Sequence, residues 1–374
     1  MSEYHLGSEL KQKNRNNIYR LLHREGCLSK QSITRELGLS LPTVTQNLAE
    51  LTERGLVREQ GSFGNTGGRR AKGYAVAPEA RTALGVDLNK RHFALVLLDL
   101  EGKVLGQLRE YRPFENSEGY YRYVAESIEA LLDRTGTDRS RLLGVGLAVQ
   151  GLISPDRQSV AYGRVLNITG LRRETVAAHI PYPSALFHDS DMAAYAESWI
   201  GSRERRAVYL SLSTNLGGAL IGPGASEQER FGQARLEHMT LYPGGRRCYC
   251  GQRGCADAYC STSLLTDATE DGRLESFFAA LKAGAPKETA VWKSYQQSLA
   301  ILVNNARVLF DAPVILGGYL AEFLEDRLED LKEESYPLNS FDPDSDYLEL
   351  SRVRSEPVAV GAALQYIEAF ITSV

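Results

Sequence analysis

The chain has 374 residues, 43% of them hydrophobic and 24% charged, which is the balance of an ordinary soluble globular protein with room for two or three domains. No charged-then-apolar-then-small leader opens it, and its longest apolar runs, such as FALVLLDL (93–100), are strand-sized, so a cytoplasmic protein with no membrane partner is expected. The net charge of −4 is uneven: residues 1–78 carry 12 Lys and Arg against 7 Asp and Glu, the remainder 31 against 40. A basic head on an acidic body is expected where only the head meets nucleic acid.

Residues 15–26 (RNNIYRLLHREG) place Ile18, Leu21 and Leu22 on one helical face, and Gly26 ends the pattern. Ser29 stands as N-cap of a second helix, KQSITRELG (30–38), with Ile33 and Leu37 at helical spacing and Gly38 as its stop. Ser40 caps a third, LPTVTQNLAELTERG (41–55), with Pro42 in its first turn and Val44, Leu48 and Leu51 inward. Thr43, Thr45, Gln46 and Asn47 are expected on the opposite face, where short polar side chains suit base edges and phosphates. Strand-like LVREQG and YAV flank a loop with Arg69, Arg70 and Lys72. Together these read as a winged helix-turn-helix that binds duplex DNA, with the wing's arginines on a minor groove or phosphates.

After Pro78, TALGVDLNKRHFALVLLDLEGKVLGQLREY (82–111) reads as three strands that reverse near Leu88-Asn89 and Glu101-Gly102. The helix YYRYVAESIEALLDRTG, the strands LLGVGLAVQGLIS and ALFHDSD, and the helix MAAYAESWIG follow. AVYLSLSTNLGGALIGPG ends in a glycine-rich hairpin, PVILGG is a buried strand meeting a turn, and VAVGAALQYIEAFI is a closing helix. Strands and helices alternate, so the body is α/β. Four of the five cysteines, Cys248, Cys250, Cys255 and Cys260, fall within thirteen positions; in a cytosolic chain such a cluster argues for metal rather than disulfides.

The segment HMTLYPGGRRCYCGQRGCAD (238–257) resembles the ROK family pattern, a histidine followed by C-x-C-G-x-x-G-C-x-E, and the likeness extends from the helix-turn-helix to the closing helix. It implies a two-lobed, actin-like ATPase (ribonuclease H-like) sugar-kinase fold behind the winged helix. The expected division is a DNA-binding domain at 1–78, a first lobe at 79–190 joined by 357–374, and a second lobe at 191–356. The resemblance implies zinc on His238, Cys248, Cys250 and Cys255. One imidazole and three thiolates suit tetrahedral zinc, and Gly251 and Gly254 let the loop fold back. Cys260 and Cys27 are expected to pack.

Family kinases use two phosphate motifs, resembling D-x-G-G-T and G-T-G-x-G-G-G. Here they read DLNKRH and STNLGGA: Asp87, Thr214, Gly217 and Gly218 survive, and most of the close-approach glycines do not. Family sugar positions fall on Gly151, Asn167, His188, Asp189, Arg235, His238 and Asp257, with Asp189 at the place of the kinase base. The Asn-Asp pair has become His188-Asp189, and E-x-G-H has become Arg235-Leu236-Glu237-His238. A guanidinium donates where a glutamate accepts, which favours an acidic or phosphorylated sugar derivative; alternatively Arg235 points to solvent or pairs with Asp189 or Asp257. The resemblance therefore implies a dimeric (or dimer-of-dimers) regulator with a duplex DNA operator and a carbohydrate effector, not an enzyme. A sugar kinase with a fused DNA-binding head and a purely protein-docking body are the alternatives.

Overall fold

The computed structural model describes residues 2–63, 71–201, 205–222, 231–232, 235–339 and 341–374. The head is built from helices α1 (Ser2–Glu25), α2 (Lys30–Leu37) and α3 (Leu41–Glu53) and a small sheet of order β1-β3-β2, with β1 at Leu28–Ser29, β2 at Val57–Phe63 and β3 at Ala71–Val76. Ser29 Oγ accepts from Ser32 N at 3.1 Å and Ser40 Oγ from Thr43 N at 3.3 Å, satisfying first-turn donors that no helical carbonyl reaches. Ile18, Leu22, Ile33, Val44, Leu48 and Leu51 close the core between the helices. Helix α1 extends ahead of the apolar pattern through the largely polar residues 2–14, and Lys11 and Arg15 both pair with Glu50 of α3. Arg69 and Arg70 lie outside the described residues.

The body repeats one sheet plan twice. In the first sheet β4 (Thr82–Leu88), β5 (Phe93–Asp99) and β6 (Val104–Glu110) form an antiparallel meander, and β7 (Leu142–Val149) and β10 (Ser184–His188) add parallel to β4 in the order β10-β7-β4-β5-β6. Between them lie α4 (Glu118–Thr135), the short hairpin β8 (Leu152–Ile153) and β9 (Val160–Tyr162), and the single turn α5 (Arg173–Val176). After α6 (Asp189–Ile200), the second sheet runs β13-β12-β11-β14-β15, with β11 at Ala207–Leu212, β12 at Leu216–Ile221, β13 at Phe231–Gly232, β14 at Val314–Gly317 and β15 at Leu348–Leu350. Its meander is again antiparallel and its β14 and β15 again parallel. The equivalent first turns of the two meanders, which carry the two phosphate-motif sequences, meet where Thr214 Oγ1 donates to Asn89 Oδ1.

Two short turns, α7 (Asp257–Cys260) and α8 (Ser263–Thr266), precede α9 (Leu274–Lys282), α10 (Pro286–Phe310) and α11 (Leu328–Ser335), which cover the second sheet. The closing helix α12 (Pro357–Ser373) returns to the first sheet. Glycine makes that approach possible: a Cβ on Gly85 would stand 1.8 Å from Ala359 O, and one on Gly146 2.3 Å from Ala362 O. Head and first lobe share one apolar core, with Tyr19 edge-on to Phe370 at 6.3 Å and Asn16 Nδ2 donating to Ile371 O at 2.8 Å. No described helix is long and apolar enough to cross a membrane.

Candidate effector cleft and metal centre

His238 ends a 3-10 turn (Leu236–His238), and the loop after it returns as a tight knuckle. Gly251 and Gly254 adopt φ of +97° and +85°, and a Cβ on Gly254 would meet Tyr242 O at 1.9 Å. These reversals bring Cys248, Cys250 and Cys255 to His238, with all four ligand atoms within 4.8 Å of one another. Cys250 Sγ lies 3.8 Å from Cys255 Sγ, and Cys248 Sγ 3.7 Å from His238 Nδ1. Thiolates bound at about 2.3 Å on a tetrahedron stand about 3.8 Å apart, so the donor set fits zinc in both chemistry and spacing. Cys260 is fully buried and takes no part; Cys27 is half-buried, its Sγ 3.0 Å from Gln60 O.

The histidine–cysteine knuckle forms one wall of a cavity of about 480 Å³ between the lobes. Its lining includes Gly151, His188, Asp189, Arg235 and His238, five of the seven residues expected there. His188 closes β10 and Asp189 opens α6. His188 Nδ1 lies 3.3 Å from Asp191 Oδ2 and its Nε2 3.3 Å from Asp189 Oδ1. Burial opposes the imidazolium, but the Asp191 hydrogen bond and the Asp189 charge carry its pKa up to about 9. Burial also raises Asp189, against the pull of His188. Arg235 is exposed at the cavity edge and forms no ion pair with any described residue, so the expected alternative of a bridge to Asp189 or Asp257 is not realised among them.

Three expectations are corrected. Asn167 is an exposed turn residue at φ +55° and does not line the cavity; the turn, not a ligand, uses it. Asp257 is buried behind the wall: its carboxylate accepts from Leu216 N at 2.8 Å and Asn215 Nδ2 at 3.3 Å, fixing the β11–β12 turn. Asn47 is 1% exposed and donates to Thr43 O at 2.8 Å, so it belongs to the core of the head rather than its outer face. Thr45 and Gln46 are exposed, and Thr43 is half-buried with its hydroxyl on Ser40.

Sequence reading missed Glu237, Arg164 and Tyr249, which also line the cavity. Glu237 holds the place of the motif's glycine and returns a carboxylate to the site two positions from the one lost. Burial, opposed by the backbone and by His188, lifts its pKa to about 7. The site therefore presents acids inside and two arginines, Arg164 and Arg235, at its exposed side. Beyond it, Asp87 is pushed well up by burial and by the charges of Asp189 and Glu356.

Residues 83–364 match the ROK family and residues 11–58 a winged helix-turn-helix DNA-binding family. The chain is 26% identical over 263 residues to the DNA-binding transcriptional dual regulator NagC of Escherichia coli; the match takes 68% of this chain and 64%, less than two thirds, of that protein. It is 24% identical over 359 residues to the xylose repressor of Bacillus subtilis, covering 94% and 86% of the two. In structure it resembles a ROK family transcriptional regulator homologous to the E. coli MLC protein, at TM-score 0.73, 20% identity and 97% coverage of both chains. It also resembles a ROK family glucokinase of Streptomyces griseus in complex with glucose and AMPPNP, at TM-score 0.64, 22% identity and coverage of 76% and 98%. A winged head followed by a two-lobed body that carries the histidine–cysteine knuckle at its cleft, with the family match spanning most of that body, makes this chain a member of the ROK family.

Proposed function

We propose that the protein is a DNA-binding transcriptional regulator, a repressor of carbohydrate metabolism or uptake, whose cleft binds a sugar or sugar derivative without phosphorylating it. The observation that carries this reading is the coexistence of the head with a cavity of about 480 Å³ lined by five of the seven expected sugar positions, in a chain whose two phosphate motifs have lost most of their glycines in sequence. Relatives named as repressors support it. Thr43, Thr45, Gln46, Arg69 and Arg70 are the proposed DNA contacts. Paired heads on a homodimer, or dimer of dimers, would meet half-sites about one helical turn apart or a multiple of it. The domain division at 78 and 190 and a cytoplasmic setting, where the operator lies, belong to the same proposal.

His238, Cys248, Cys250 and Cys255 would hold zinc, which as a closed four-ligand site supplies folding energy to the wall rather than chemistry. Asp189, Glu237 and His188 would read hydroxyl groups inside the cleft, as carboxylates accept and imidazolium donates. Arg235 and Arg164 favour an effector that also carries a carboxylate or phosphate at the exposed side.

The kinase reading is favoured by one observation: Asp189, at the place of the family base, does line the cavity. Titration of the purified chain with ATP and a sugar panel separates the two. Sugar binding without ADP release supports the regulator. Steady turnover abolished by Asp189→Ala supports the kinase.

A further inference from the structure

The two loops that family kinases turn on phosphates are bonded to each other here. Thr214 Oγ1, at the β11–β12 turn, donates to Asn89 Oδ1, at the β4–β5 turn, at 2.8 Å, with both side chains buried. The space left beside them, about 20 Å³, has room for a water molecule and no more. Around it the lobes are joined by a row of polar contacts. Arg109 of β6 donates to Glu356, the residue before α12, at 2.6 Å. The same guanidinium lies 3.7 Å over the ring of Tyr319 and 3.8 Å from Glu322, both on the second lobe. Next to it Tyr111, just past β6, meets Tyr319 Oη at 3.1 Å and donates to Glu275 at 3.2 Å. At the far end Arg91 pairs with Asp267 of the second lobe.

A guanidinium held by two carboxylates and an aromatic face is a complete site for that cation. Arg109, Tyr111, Asn89 and Arg91 each meet a side chain of the opposite lobe or the α12 junction; Tyr319 Oη also donates to Glu275 of its own lobe at 2.6 Å, and Asp87 Oδ1, which lines the same space, has no hydrogen-bond partner among the described residues.

We propose that this seam is an intramolecular lock. Arg109 and its partners fill the space beside the two loops, and lobe closure is set by these contacts. A locked back seam leaves the effector cavity as the place where a ligand biases the lobes' relative position, since a ligand shifts an equilibrium only by its differential affinity for the two states. The lock rests on the non-kinase reading only for its origin. Its contacts, and their test, need neither an effector nor DNA.

Hydrogen exchange with mass analysis on the full chain tests it. In Arg109→Ala, segments 316–323 and 268–276, which carry no substitution and lie on the other lobe, exchange about tenfold faster or more, while β7 keeps its protection. Arg109→Lys keeps part of the protection. Because Arg109→Ala strands Glu356 in the interior, a second variant, Arg91→Ala with Tyr111→Phe, removes contacts whose partners Asp267 and Glu275 are exposed, and accelerates the same two segments. Acceleration confined to residues 89–111, or none at all, in that second variant overturns the lock. ADP release would instead count against the regulator reading and leave the seam measurement intact.

Discussion

His188 carries its charge because carboxylates on both sides hold it. Its ordinary pKa is near 6.5 and its folded value is about 9. The folded value lies above the unfolded one, so its stabilising contribution is full below about pH 6.5 and is lost as pH rises through about 9. Denaturation measured from about pH 6 to pH 10 should show wild-type stability falling more than that of His188→Gln, by on the order of 3 kcal/mol; parallel curves would show a neutral imidazole. Arg235 supplies a second test. Calorimetry with a sugar and its 6-phosphate or uronic acid should favour the anion by about tenfold, the value of one charge-assisted hydrogen bond. Arg235→Glu should erase that preference. Equal binding of neutral and anionic forms, unchanged by the substitution, returns Arg235 to a structural role.

At the scale of elements, α3 divides its two faces sharply. Gln46→Ala should weaken DNA binding with an unchanged melting temperature. Asn47→Ala should instead cost about 1 kcal/mol of stability by losing its bond to Thr43 O. The opposite assignment of the two effects would mean that Asn47 turns outward on DNA. In the metal knuckle, Cys250→Ala should lower zinc content from about one per chain and lower the melting temperature together; a metal-free preparation of full stability would leave the knuckle without a structural role. The caps and the apolar stripe of α3 were legible because each is a local pattern. Asn47 was misjudged because the buried arc of a packed helix is wider than its apolar residues. Helix α10 was not read, although Trp292, Tyr295, Leu299, Leu302, Val303 and Ala306 fall at helical spacing on its buried face. Asp257 and Glu237 were beyond a motif reading: which acid enters the cleft depends on how the 3-10 turn aims its second residue and α7 its first. Strand β1 is two residues long and exists only through its pairing with the distant β3.

For the whole molecule, the cleft and the head are joined by two helices. Helix α6 begins at Asp189 in the cavity and ends at Trp199, whose ring lies edge-on to His23 of α1 at 5.6 Å. Helix α12 begins at the interlobe seam and ends at Phe370 and Ile371, where Tyr19 and Asn16 of the head dock. His23 Nε2 further donates to Leu100 O at 2.7 Å. Both helices therefore start at the cleft or seam and contact α1 near their C-terminal ends. The residues of the histidine–cysteine cluster were legible in a motif; the docking of Asn16 on Ile371 was not, because it joins residues more than 300 positions apart.

A sugar in the cleft that alters DNA binding would show itself in the affinity of the full chain for a duplex selected by the chain itself. It should be measured at fixed salt with and without each sugar that binds by calorimetry. At least one such sugar should shift the DNA affinity by about five-fold or more, the lower range of a coupling free energy between two sites. A DNA affinity indifferent to every sugar that binds would contradict it.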